Sequence, residues 1–160
     1  MKEGTALVFG NDINTDLLHP SYFFSLDSSR VRDGFLGAVK TTTDRDIDRA
    51  RIIVAGKNFG CGSSRETTMT ALRLAGVQAV IAESFGRIFF RNAMSLGVPA
   101  LTTASLDGFA EGGDRLRVAD GILQNLTQDR SVTLNPLDPM WAAVLDAGGM
   151  IDFLRVRGSL

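Results

Sequence analysis

The clearest hydrophobic pattern lies in the middle of the chain, between residues 51 and 83. The run "RIIVAG" is largely apolar and predicts a buried strand, and "VQAVIAE" predicts a second strand. Between them, residues 64–75 carry apolar side chains at helical spacing, and Gly76 stands where a helix C-cap is expected. A strand, a helix and a strand form a βαβ unit, which implies parallel pairing and a right-handed crossover. The apolar helical positions are Met69, Ala71, Leu72 and Ala75.

Further strands and helices are indicated on both sides of this unit. "TALVFG" at residues 5–10 predicts an opening strand. "SFGRIFFRNAMSLG" predicts a helix that ends at Gly97, and "VPALTT" is a strand candidate after it. Residues 27–50 are polar and are expected to form loops with one short helix.

The C-terminal part has a different pattern. "DRLRVADGILQNLTQDRSVTLN" alternates apolar and polar residues, which predicts antiparallel strands with Asp120 and Gly121 at a hairpin turn. Asp138 and Pro139 suit the N-cap and the first position of a helix, "PMWAAVLDA", which a pair of glycines ends. The expected class is therefore α/β, with a mainly parallel core sheet flanked by helices and a C-terminal antiparallel segment.

Length and composition fit one domain that spans residues 1–160. The chain is 44% hydrophobic and 22% charged, which is ordinary for a globular protein. Its formal net charge of -1 creates no broad field for nucleic acid or an anionic membrane. The apolar runs are far shorter than the roughly 20 residues of a membrane helix, and "MKEGTALVFG" lacks the apolar segment of a signal peptide. A cytoplasmic protein is expected.

The counts of cysteine and histidine limit the metal chemistry of this chain. Cys61 is the single cysteine and His19 the single histidine, so neither an internal disulfide nor a protein-only cysteine or histidine metal site can form. We expect no metal on this chain. Any cluster that the chemistry needs must be carried by another chain.

The turn "GCGSSR" between the first strand and the helix of the βαβ unit has four possible uses. A dinucleotide cradle is suggested by Glu83 at the end of the next strand, but Arg65 stands where the third glycine of G-x-G-x-x-G is needed. A thiol nucleophile at Cys61 gains from the helix dipole, yet no sequence argument brings His19 to it. The other two uses are a helix cap and an anion site.

The cap and the anion site are compatible with each other. Ser63 and Glu66 have the spacing of a capping box, worth about 1 kcal/mol to the helix. That pair explains neither Gly60 and Gly62, which permit something to approach the backbone closely, nor Arg65, whose charge opposes the helix dipole. Backbone N–H groups, serine hydroxyls and a guanidinium together suit a carboxylate, and they would also stabilise a serine alkoxide.

The motif "GKNFGCGSSRE", followed by "VIAESFGRIFFRNAMSLGVPAL", closely resembles the swivelling β/β/α domain of the aconitase family. Within that family the resemblance is strongest to the separate small subunits of 3-isopropylmalate dehydratase and homoaconitase-type enzymes. "FGNDINTDLLHPSYF" and "LDPMWAAVLDAGGMIDFLRVRG" are also similar, so the resemblance covers nearly the whole chain.

This resemblance implies a two-chain hydro-lyase, in which a large subunit carries a [4Fe-4S] cluster and this chain places its serine loop over the substrate. It implies that Ser63 is the general base, and that the second serine and the arginine of the motif hold a substrate carboxylate. Thr15, Asp16 and Glu66 would support the loop. The implied substrate-binding residues are Cys61, Gly62, Ser64 and Arg65.

The sequence departs from the family pattern after the arginine and in the loop that follows Pro20. Thr67 and Thr68 stand where family members usually have His and Ala. The implied substrate-specificity loop reads Phe23, Phe24, Ser25 and Leu26 here, which favours an alkylmalate over citrate or homocitrate, although Arg30 and Arg32 are close enough in sequence to supply a cation. We expect a role in leucine biosynthesis; the alternatives are a homoaconitase-type subunit and a non-catalytic nucleotide-binding module.

Overall fold

Seven strands and six α-helices appear in the computed structural model, which describes residues 1–35, 51–62 and 66–158. The strands are β1 (Lys2–Phe9), β2 (Arg51–Ala55), β3 (Val77–Ala82), β4 (Ala100–Thr102), β5 (Arg115–Ala119), β6 (Ile122–Asn125) and β7 (Arg130–Thr133). The helices are α1 (Thr15–Leu18), α2 (Ser28–Asp33), α3 (Glu66–Leu74), α4 (Arg87–Ser95), α5 (Pro139–Asp146) and α6 (Met150–Val156), with a 3-10 turn at Ser21–Phe23.

All seven strands belong to one sheet with the order β4-β3-β2-β1-β5-β6-β7. The pairs β1-β2, β2-β3 and β3-β4 are parallel, and the remaining pairs are antiparallel. The C-terminal antiparallel segment is thus a continuation of the core sheet. β1 joins the two parts, because its first residues pair with β5 and its last residues pair with β2.

The βαβ unit predicted from the apolar pattern is confirmed. β2 is buried along its whole length and pairs in parallel with β3, and the four predicted apolar positions are at most 1% exposed. α3 ends as expected, since Gly76 has a φ of 76° and its N–H donates to the carbonyl of Arg73. The predicted helix began at residue 64, whereas the described helix begins at Glu66 and residues 63–65 lie outside the described ranges.

Alternate residues of the strands pack into two separate hydrophobic cores, one on each face of the sheet. On one face, Ile53 and Val80 pack with α3 and α4, together with Phe59 and Phe89. On the other face, Ile52 and Ile81 pack against the segment that contains Leu106, Phe109 and Ala110. Because both faces are covered, the β2 strand needs no polar face, which explains its continuous apolar sequence.

The C-terminal predictions hold, with one addition. Asp120 and Gly121 both have positive φ, as the turn between β5 and β6 requires, and the Asp138 side chain accepts the N–H of Met140 at 2.8 Å to cap α5. α6 follows the glycine pair and was not predicted. In the range 27–50, α2 is the expected short helix, and residues 36–50 lie outside the described ranges.

A polar cluster is buried in the antiparallel part of the sheet, next to the core that contains Leu106 and Phe109. The Asp114 carboxylate accepts hydrogen bonds from Asn125 Nδ2 at 2.7 Å, from Gln128 Nε2 at 2.7 Å and from the N–H of Glu111 at 2.9 Å. Burial by itself raises the pKa of Asp114, but these hydrogen bonds outweigh it, so that its pKa lies below the usual 3.8. Within the described ranges, no helix is long and apolar enough to cross a membrane.

Candidate active site

Three loops at the carboxyl ends of β1, β2 and β3 lie side by side. They comprise residues 10–14, 56–62 and 83–86, and backbone hydrogen bonds continue between them where the strands have ended. The first loop and the start of α1 are joined to the second loop by four bonds of 2.7 to 3.1 Å, from Gly56 to Gly10, Asp12 to Lys57, Gly60 to Ile13 and Thr15 to Cys61. The second and third are joined by three, from Glu83 to Gly56, Phe59 to Ser84 and Gly86 to Phe59, at 2.9 to 3.1 Å.

The middle loop carries the glycine turn, and its two glycines have positive φ in different surroundings. Gly60 has a φ of 75°, and a Cβ there would lie 2.1 Å from the Phe89 ring, so the partner that approaches its backbone is a core side chain. Gly62 has a φ of 101°, and its nearest neighbours for a Cβ are Thr15 Oγ1 at 3.6 Å and Asn14 Cβ at 3.7 Å. A Cβ at Gly62 would therefore make ordinary contacts with α1, whereas a Cβ at Gly60 would collide with Phe89.

An aromatic cluster holds the base of this loop. Phe59 is fully buried, and its ring meets those of Phe85 and Phe89 edge-on at 6.3 and 5.3 Å between centroids. The rings of Phe85 and Phe89 stack on each other at 5.8 Å. Because buried aromatic residues occupy well-defined rotamers in a close-packed core, Phe59 fixes the chain just before Gly60.

α1 places its residues against the middle loop. Asn14 caps the helix, since its Oδ1 accepts the N–H of Leu17 at 3.0 Å, and Asn14 also forms a backbone bridge with Cys61. Thr15 is buried next to Gly62, and Asp16 is exposed. The Thr-Asp pair thus lies beside the glycine turn.

The segment after α1 presents large apolar side chains to solvent. Tyr22 and Leu26 are exposed, Phe24 is 38% exposed, and Phe23 is half-buried. Ser25 Oγ accepts the N–H of Asp27 at 3.1 Å, and Asp27 in turn caps α2.

The two arginines near this segment make local contacts. Arg30 Nη2 donates to the carbonyl of Tyr22 at 2.9 Å, and Arg32 forms a 3.4 Å ion pair with Asp33. Arg30 therefore ties α2 to the exposed segment, while its charge stays near Tyr22.

His19 lies beneath the exposed segment. It is fully buried, its Nε2 donates to the carbonyl of Val31 at 3.1 Å, and its ring stacks on Phe24 at 5.3 Å. A Cβ on Gly34 would lie 2.6 Å from the same nitrogen, so Gly34 makes room for the ring. These contacts agree with a packing role for His19.

Comparison with known proteins decides the family. The Aconitase C-terminal domain model matches residues 25–105. The 3-isopropylmalate dehydratase small subunit 1 of Methanopyrus kandleri is 35% identical over 158 residues, which cover 97% of this chain and 93% of that relative. The corresponding small subunit of Methanosarcina acetivorans is 39% identical over 157 residues, or 96% of each chain. The chain belongs to the aconitase C-terminal domain family.

The fold agrees with a solved member of this family. The crystal structure of 3-isopropylmalate dehydratase from Methanocaldococcus jannaschii matches with a TM-score of 0.88 and 28% identity, over 98% of this chain and 94% of that chain. The α/β fold predicted from the resemblance is confirmed.

The family motif is only partly within the described ranges. Ser63, Ser64 and Arg65 lie outside them, so their expected roles stay predictions. Their neighbours are described: Cys61 is half-buried, Gly62 is exposed, and Glu66 is exposed in the first turn of α3, where a negative charge complements the helix dipole.

The two threonines that depart from the family pattern lie on different sides of α3. Thr67 is half-buried, whereas Thr68 is fully buried, and among the described residues its Oγ1 has no hydrogen-bond partner. A buried hydroxyl without a partner costs free energy, so this position favours a small apolar side chain.

The geometry does not favour a nucleotide cradle. In the dinucleotide-binding plan, the acidic residue after the second strand binds a ribose hydroxyl. Here Glu83 Oε1 accepts the N–H of Leu106 at 3.0 Å, which ties the β3 loop to the segment over the second core. Gly60, the first glycine of the turn, is covered by Phe89.

Proposed function

We propose that this chain is the small subunit of a two-chain hydro-lyase that isomerises 3-isopropylmalate or a closely related alkylmalate by dehydration and rehydration. The observation that carries the proposal is the full-length similarity to proteins named 3-isopropylmalate dehydratase small subunit. The geometry supports it, because the loop that leads into Ser63 is held at the carboxyl edge of the parallel strands, where ligands of α/β sheets bind.

An iron-sulfur cluster does not fit this chain. The sequence has one cysteine, and among the described residues no three His, Cys, Asp or Glu side chains are grouped as metal ligands. A cluster on the large subunit would supply a Lewis acid for the departing hydroxyl group. The work of this chain is therefore substrate binding and proton transfer.

Ser63 is proposed to remove the proton from the carbon next to a substrate carboxylate. A serine hydroxyl is a weak acid, so its alkoxide needs nearby positive groups. We propose that the N–H groups at the start of α3 and the Arg65 guanidinium supply them, and that the same guanidinium binds a carboxylate with two parallel hydrogen bonds. Ser64, Gly62 and Cys61 complete the binding loop, with Thr15, Asp16 and Glu66 in support.

The exposed segment Phe23–Leu26 is proposed to sort substrates by their side group. Phe24 and Leu26 offer apolar surface, which suits an alkyl substituent and not a second carboxylate. The nearest cation on α2, Arg30, already binds the carbonyl of Tyr22. A homoaconitase-type substrate, which carries an additional carboxylate, is therefore the second candidate.

The experiment is reconstitution with the large subunit from the same organism. The isolated chain is expected to be inactive, and the mixture is expected to dehydrate 3-isopropylmalate, which is followed by the ultraviolet absorbance of the unsaturated acid. Citrate and homocitrate serve as comparison substrates. Full activity of the isolated chain would contradict the two-chain proposal, and faster turnover of homocitrate would move the substrate assignment to the second candidate.

A further inference from the structure

Two residues with left-handed backbone conformations face each other across the first and middle loops. Asp12 has a φ of 56° and Asn58 has a φ of 57°. Asn58 Nδ2 donates to Asp12 Oδ1 at 2.8 Å, although the two residues are 46 positions apart in sequence. Asparagine and aspartate are the non-glycine residues that most readily adopt this conformation, because their short polar side chains can bond locally.

Asn58 also contacts the third loop. Its backbone N–H donates to Ser84 Oγ at 2.8 Å, so one residue links all three loops at the carboxyl edge of the sheet. The next residue along the chain is the buried Phe59, and Gly62 follows within the same loop. The link therefore lies between the end of β2 and the motif that begins at Ser63.

The Asn58–Asp12 link contributes little to the hydrophobic core. Both side chains are exposed, and an exposed hydrogen bond between side chains adds little to folding stability since water competes for both partners. The bond instead adds a side-chain link to the backbone hydrogen bonds that join the loop with Gly62 to the loop that leads into Thr15 and Asp16.

We propose that Asn58 is a positioning residue for the reaction. Its hydrogen bond to Asp12 holds the middle loop, which leads into Ser63, against the first loop. The inference rests on the proposed function, since it assumes that Ser63 is the base. A general base must lie within hydrogen-bond reach of the proton it removes, and small displacements of a reacting group lower the rate steeply. Loss of the link is therefore expected to lower kcat more than it changes KM.

The test places a second carboxylate at the link. In the reconstituted two-subunit enzyme, Asn58→Asp removes the donor and sets two negative charges against each other, which is expected to lower kcat for 3-isopropylmalate about tenfold with KM within about twofold of wild type. Asp12→Asn keeps an acceptor oxygen and should stay near wild type. The double variant Asn58→Asp with Asp12→Asn exchanges donor and acceptor, and it should recover kcat to within about twofold of wild type.

The matched control is Gln78→Glu, which makes the same amide-to-carboxylate change near the amino end of β3, at the opposite edge of the sheet. Gln78 Nε2 donates to the carbonyl of Gly76 at 3.3 Å, and its replacement should leave kcat unchanged. Thermal unfolding of each variant is measured alongside, and all midpoints are expected within a few degrees of wild type.

The outcomes separate this inference from the proposed function. A wild-type complex that acts on none of 3-isopropylmalate, citrate and homocitrate overturns both. An active wild type with unchanged kcat in Asn58→Asp overturns the positioning role alone. A reduced kcat that the double variant fails to restore also overturns it, because the effect would then come from the charge and not from the hydrogen bond.

Discussion

Two hydrogen-bonded Asp–Asn pairs lie in different environments in the parallel and antiparallel halves of the sheet. In the parallel half, β1 to β4, Asp12 and Asn58 are exposed at the carboxyl edge and join loops. In the antiparallel half, Asp114 and Asn125 are buried and bond to each other beneath the strands. The same residue types thus serve loop geometry in one half and folding stability in the other. Substitutions in the two halves should accordingly separate activity from stability.

The largest expected effect is the loss of the proposed base in the parallel half. Ser63→Ala in the assembled enzyme should lower kcat by roughly a thousandfold, as expected for removal of general base catalysis. Its unfolding free energy should fall by no more than the roughly 1 kcal/mol of a helix cap. Steady-state kinetics and urea unfolding measure the two quantities, and an unchanged kcat would assign the base to another residue.

Gly60 is the position where a substitution should lower both stability and activity. Gly60→Ala combines backbone strain with a clash against the Phe89 ring, and it should cost about 3 to 5 kcal/mol of unfolding free energy. Gly62→Ala is the matched control, because its Cβ meets nothing closer than 3.6 Å and only the backbone strain of about 1 to 3 kcal/mol applies. Equal losses in urea unfolding would show that packing against Phe89 is unimportant.

In the antiparallel half, Asn125→Ala should change stability and spare catalysis. The amide binds the carbonyl of Phe109 as well as Asp114, and its Oδ1 accepts two backbone N–H groups, so its removal leaves buried polar groups unpaired. A loss of about 2 to 4 kcal/mol is expected in urea unfolding. Turnover of the folded complex at low temperature should stay within about twofold of wild type, and a large fall there would contradict the separation.

Arg65→Lys should produce a smaller effect confined to substrate binding. Lysine keeps the charge but loses the planar pair of donors, so KM should rise about tenfold while kcat changes less. The measurement is a Michaelis curve for 3-isopropylmalate. If kcat falls and KM stays constant, the arginine acts in the proton-transfer step and not in carboxylate binding.

The smallest effect concerns acid stability. Because the pKa of Asp114 in the folded state lies below its unfolded value, its contribution is fully present above about pH 4 and is lost as the pH falls through the folded pKa. The unfolding midpoint of wild type should therefore fall below pH 4 more steeply than that of Asp114→Asn. Parallel curves for the two proteins would mean that the carboxylate is not stabilised by folding.

The sequence predicted those parts of the structure that depend on neighbours along the chain. Helical spacing from Met69 to Ala75 and the glycine at 76 predicted α3 and its end, because both are local properties. Gly60 was interpreted as a position where something approaches the backbone closely, and only the structure shows that this is the Phe89 ring, brought there by the packing of α4. The α6 helix was missed because the glycines at 148 and 149 indicate an end and give no sign of a new beginning.

The candidate site was predicted from the family resemblance more than from spacing. The Thr15 and Asp16 pair was expected beside the glycine turn, and the hydrogen bond from Thr15 N–H to the Cys61 carbonyl places it there. The link between Asp12 and Asn58 could not be predicted, since neither residue has a local signal for a partner 46 positions away. Their shared positive φ becomes visible only in the structure.

The central strand determines how this protein could be divided or redesigned. β1 pairs with β5 through Lys2–Thr5 and with β2 through Thr5–Phe9. This one strand therefore joins the parallel and antiparallel halves of the sheet. A fragment that ended after β4 would leave the first half of β1 as an open edge, and such edges recruit strands from other molecules. Grafting the three loops of the candidate site onto a smaller scaffold would therefore require a replacement for β5, even though β5 lies in the half without these loops.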